Sequence, residues 1–74
     1  MALPPFTEAQ SSAFSGYHID PDARALTVQF KDGAVWRYDD VALERLTAFE
    51  GSDSKGAYFM RQIRPHHKGV RVHG

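Results

Sequence analysis

From Ser54 onward the chain carries Lys55, Arg61, Arg64, Lys68 and Arg71 and no acid. Cations at that spacing suit contact with a run of phosphates or with an acidic protein surface. The preceding residues hold four basic side chains against nine acidic ones. The net charge of zero thus divides into about −5 on the first 53 residues and about +5 on the last 21. Within the basic part, Ser54-Lys55-Gly56 stands at a predicted helix start. Unpaired backbone N–H groups and the positive dipole end favour an anion there, and glycine permits its close approach. Plain capping by Ser54, with Gly56 required by tight packing, explains the same residues and is the reading adopted. The string is far shorter than a phosphate loop.

Other reactive types combine poorly. His66, His67 and His73 lie in a predicted tail without cysteine or acid, so metal binding would first have to order that segment. His18 and the Asp39-Asp40 pair are better read as strand, turn and cap residues. No serine elbow, cysteine nucleophile or helical His pair is present. No catalytic residue, metal site or cofactor is expected.

The elements that position these residues follow from pattern. Pro4-Pro5 opens a segment, residues 1–10, read as a flexible leader. A first strand is predicted from about Ser12 to Ile19, closed by the Asp20-Pro21-Asp22 turn. Residues 25–31 alternate, with Leu26, Val28 and Phe30 on one face and Thr27, Gln29 and Lys31 on the other. Asp32-Gly33 marks a hairpin. A two-residue loop would put Arg37 on the apolar face. A three-residue loop, Lys31-Asp32-Gly33, pairs Val28 with Trp36 and Leu26 with Tyr38, and the hydrophobic pattern selects it.

Asp39-Asp40 supplies helix-start chemistry, Ala42, Leu46 and Phe49 recur at helical spacing, and Gly51 ends that helix. Phe59 and Ile63 stripe a second helix that Pro65 stops near Ile63. Residues 65–74 read as a mobile basic tail. The expectation is an α+β domain: a three-stranded antiparallel meander followed by two short helices on one face. Its predicted core is Tyr17, Ile19, Leu26, Val28, Phe30, Trp36, Tyr38, Leu46, Phe49, Phe59 and Ile63. Thr27, Gln29, Val35 and Arg37 are expected on a solvated opposite face, with Arg37 a secondary contact candidate.

Phe30-Lys31-Asp32-Gly33-Ala34-Val35-Trp36-Arg37-Tyr38 resembles the strand, turn and aromatic-x-aromatic centre of the KTSC domain. That family is named for the C-terminus of some lysyl-tRNA synthetases and also occurs as free-standing bacterial proteins. Val41, Ser54-Lys55-Gly56, Tyr58-Phe59 and Ile63-Arg64 are similar to its second half, and the likeness covers about residues 12–64. Trp36 stands where tyrosine is usual and Ala42 where proline is common. The resemblance implies an α+β domain spanning residues 11–64, with RNA binding suggested by the synthetase context.

Seventy-four residues make one small domain. The absence of cysteine suits a reducing cytoplasm, and no apolar run is long enough for a membrane. The functional expectation is a monomeric, non-enzymatic module that contacts RNA or another polyanion. Lys55, Gly56, Arg61, Arg64, Lys68, Arg71 and Arg37 are its candidate contacts. The alternative is an adaptor or regulator, phage-encoded or bacterial, that docks on a polymerase, ribosome or synthetase.

Overall fold

The computed structural model describes residues 4–9, 11 and 13–74. Residues 1–3 and 10 of the expected leader, and the expected strand start at Ser12, lie outside the described residues. The architecture is an antiparallel five-stranded sheet in the order β1-β2-β3-β4-β5. Its strands are β1 (Thr7–Glu8), β2 (Phe14–Asp20), β3 (Ala25–Phe30), β4 (Val35–Tyr38) and β5 (Gly69–His73). Between β4 and β5 lie α1 (Leu43–Gly51), α2 (Lys55–Tyr58) and a π-helical turn (Phe59–Ile63) that continues α2.

The central hairpin follows its expected register: Leu26 faces Tyr38 and Val28 faces Trp36. Gly33 sits at φ 93°, and the Phe30 N–H donates to the Ala34 carbonyl at 2.8 Å. This is the three-residue loop with glycine in the left-handed position. Strand β2 adds Tyr17 beside Val28 and Ile19 beside Leu26, so the apolar side chains of three strands share one face.

The helices cover that face. Phe14, Tyr17, Leu26, Val28, Tyr38, Val41, Leu46, Phe49, Phe59 and Ile63 form the buried cluster, with Ile19, Phe30 and Trp36 packed half-buried against it. Aromatic rings supply most of its bulk. Phe59 meets Phe14, Phe30 and Tyr38 at centroid distances of 5.7, 6.0 and 5.2 Å, all edge to face. Phe49 meets Tyr17 edge to face at 5.1 Å. These geometries match the ring quadrupole preference and stabilise beyond the area buried.

Three expectations are corrected. The sheet has five strands, not three, because the segments expected as leader and basic tail each add an edge strand. Val70 pairs with Arg37 and Arg71 with Trp36, so Gly69–His73 is paired strand where a mobile tail was expected. The face opposite the helices is not simply solvated, since Val35 and Thr27 are buried. Each lies on a strand with a hydrogen-bonded neighbour on both sides, β4 between β3 and β5, and β3 between β2 and β4.

The entry to α1 also differs. Ala42 is the N-cap residue, without a side-chain cap. Asp40 adopts φ 58°, and Asp39 pairs instead with Arg37 at 2.8 Å. The left-handed step at Asp40 turns the chain, and the Val41 N–H then donates to the Arg24 carbonyl at 3.0 Å. By contrast, Ser54 caps α2 as expected, its hydroxyl accepting from the Ala57 N–H at 3.4 Å.

A candidate nucleic-acid cleft

Cations from the second half of the chain do not gather on one surface. The Lys55 ammonium folds back onto the Ser52 carbonyl at 3.3 Å. Arg61 lies beside Tyr58, Gln62, Ser52 and Ser54 in a separate depression. Arg37 is engaged by Asp39 on an exposed stretch of β4. Gly56 is buried, and a Cβ there would collide with the Ser11 hydroxyl oxygen. Its missing side chain is therefore explained by packing.

Arg64 and Arg71 are placed differently. The π-helical turn closes through the Arg64 N–H donating to the Phe59 carbonyl at 2.9 Å. That wider turn keeps Phe59 and Ile63 in the core and sets Met60 and Arg64 beside each other on the exposed side, Nη1 3.7 Å from Sδ. Turns of this kind recur at functional sites. Arg64, Met60, Ala13, Phe30, Trp36 and Tyr38 line a cleft of about 430 Å³. Its wall is aromatic, with Phe30 and Trp36 half-buried against the core.

Arg71 stands directly opposite Trp36 in the β4–β5 ladder. Directly paired residues share a sheet face, so Arg71 lies on the cleft side. Arg64 from the helical layer thus shares the cleft with Trp36, and Arg71 is its neighbour on the edge strand, its guanidinium donating to the Gly74 carbonyl. At Ala13 and Met60 the cleft meets a second one of about 350 Å³, lined also by Ser11, Ser54, Lys55 and Gly56. The two are neighbouring depressions between the α2 start and Trp36, with Ala13 and Met60 common to both.

Electrostatics within the cleft are mild. Burial raises the Tyr38 phenol above its ordinary 10.0, and the nearby Arg64 guanidinium partly opposes that rise. Burial, then the Glu50 carboxylate, raise the Tyr17 phenol in the same direction. Both groups hold their proton more tightly folded than unfolded. Their contribution to stability is complete below the unfolded phenol value and lost as pH rises through the raised folded values. A series of urea melts should show the midpoint falling above about pH 10. A midpoint independent of pH in that range would contradict the burial of both phenols.

Sequence reasoning named Arg64 and Arg71, read Phe30 as core, and weighed Trp36 and Tyr38 as a base-stacking platform before preferring the core for them as well. The Trp36–Arg71 neighbourhood depends on β5 and could not be read without it. Among the described residues no group of three or more His, Cys, Asp or Glu side chains is placed to hold a metal. No described helix is long and apolar enough to cross a membrane.

Fold and site together define a small α+β domain with an aromatic surface cleft lined by Arg64. The chain belongs to the KTSC domain family, whose model matches residues 10–67. It is 36% identical over 58 residues to an uncharacterised protein of Stutzerimonas stutzeri (strain A1501), covering 78% of this chain and 82% of that protein. Its structure is similar to the crystal structure of a KTSC domain protein from Yersinia pestis, with a TM-score of 0.82 and 25% identity. That similarity covers 92% of this chain and 96% of the other.

Proposed function

We propose that the domain is a small non-enzymatic binding module that takes single-stranded RNA into the cleft beside Trp36. The observation that carries this reading is the half-buried Trp36 in a cleft lined by Arg64, with Arg71 opposite it in the β4–β5 ladder. Unpaired bases stack on aromatic side chains, and neighbouring guanidinium groups take the flanking phosphates. The lining of Ala13, Phe30, Trp36, Tyr38, Met60 and Arg64 contains no carboxylate, imidazole or thiol, so it offers contact rather than chemistry. Lys68, just before β5, extends the positive edge. Lys55 and Gly56, in the adjoining depression, are subsidiary, and Arg37 is held by its ion pair. A cytoplasmic setting accords with this reading.

Trp36 is the sole tryptophan, so its fluorescence reports the site without a label. Titration with an eight-nucleotide single-stranded RNA should quench it. Replacing Trp36 by alanine should weaken binding about 5- to 150-fold, the equivalent of one base–aromatic stack, read by anisotropy of labelled RNA. If Arg64, Lys68 and Arg71 each neutralise a phosphate, log K should fall with log salt at a slope of about −2. Affinity would then drop roughly twentyfold between 50 and 200 mM salt. Absence of quenching together with a flat salt response would overturn the proposal.

A further inference from the structure

A second surface adjoins the cleft and shares Lys68 and Arg71 with it. Strand β5 is the outermost strand, and among the described residues nothing pairs with its free side. Val70, Arg71, Val72 and His73 are all exposed, Val70 at 55% and Val72 at 46%. An edge that displays unpaired N–H and C=O groups beside apolar side chains is a template for another strand. The opposite edge, β1, has two residues and offers no comparable length. A bulge between Arg71 and His73 interrupts the β4–β5 register, a device that limits indiscriminate pairing. Charge is then left to choose the occupant.

We propose that the outer edge of β5 docks an extended acidic segment of a partner protein as a sixth strand. Backbone hydrogen bonds would hold such a segment, and alternate side chains would select it. On one sheet face lies Arg71, with Lys68 just before the strand; on the other lies Val70, opposite Arg37. A partner strand that alternates acid and β-branched residues satisfies both faces, its acids beside Arg71 and its apolar side chains beside Val70. A second copy of this chain does not. Residues 54–74 contain no acid, so a β5–β5 pairing offers Lys68 and Arg71 only neutral or basic neighbours, Lys68 facing Arg71 or Arg71 facing itself depending on register. Like charges directly opposite one another in a sheet are destabilising.

The probe is a ten-residue peptide alternating valine and glutamate, with a valine–lysine peptide as control, added to the full chain. The acidic peptide should slow amide hydrogen exchange at Gly69–His73 and bind at least tenfold more tightly than the basic one. The exposed double variant Lys68→Glu with Arg71→Glu should reverse that preference. Unchanged exchange in β5 at saturating acidic peptide, or equal affinity for both peptides, would overturn the inference. So would a dimer in sedimentation equilibrium with β5 protected in the absence of peptide, since a second copy would then be the occupant. Trp36→Ala separates this surface from the cleft: it should weaken RNA binding, read by anisotropy of labelled RNA, and leave peptide protection at β5 unchanged.

Discussion

Replacing Phe59 by alanine is expected to destabilise the domain by about 3–5 kcal/mol, the range for removing a fully buried phenylalanine. The ring is 0% exposed and lies at the junction of three others, from β2, β3 and β4. A cavity there cannot collapse easily, because Phe14, Phe30 and Tyr38 are fixed by strand register, and Phe59 itself by the π-helical turn. A chain of this length has about 4–11 kcal/mol to lose in total. The variant should therefore be largely unfolded at modest urea concentrations, with the loss of near-ultraviolet circular dichroism preceding any effect of added ligand. Phe59→Leu retains most of the volume and should cost about 1–2 kcal/mol, losing the three edge-to-face contacts more than the packing. If alanine costs no more than leucine, Phe59 is not the junction of the core.

What could be read without coordinates was local or strictly periodic. The β3–β4 hairpin carries its register in three residues, Lys31-Asp32-Gly33, because glycine alone relaxes the left-handed position at φ 93°. The core stripe Phe59–Ile63 and the cap at Ser54 are similarly local. Edge strands are the opposite case. Val70 and Val72 alternate with Arg71 and His73, yet all four are exposed, so no buried face distinguishes the strand from a basic tail. Its existence depends on β4 offering a free side some thirty residues earlier, a non-local fact. The same holds for the cleft. Phe30 and Trp36 have the types and positions of core residues, and they pack against it. Their partial exposure depends on how the helices pack over the sheet, which hydrophobic period does not encode.

Gly69→Ala should have the second-largest effect, and its physical cause is different. Gly69 opens β5 opposite Tyr38, and a Cβ there would stand 2.7 Å from two carbons of the Tyr38 ring and 3.0 Å from Cε3 of Trp36. Neither ring can retreat cheaply. Tyr38 is buried against Phe59, and Trp36 is packed half-buried against the core. The strand has to give instead, so the variant should lose about 1–3 kcal/mol, the usual range for overpacking a close contact. Because the shift falls at the start of β5, amide exchange at Gly69–His73 should accelerate well before β2 and β3 respond, as expected of an edge unit that opens on its own. The same displacement moves Arg71 away from Trp36, so RNA-dependent quenching and capture of the acidic peptide should both weaken in one variant. Arg64→Ala, which leaves β5 in place, should weaken only the first. A Gly69→Ala protein with unaltered exchange in β5 would show that the aromatic pair yields more readily than its packing implies, and would remove the link between the edge strand and the cleft.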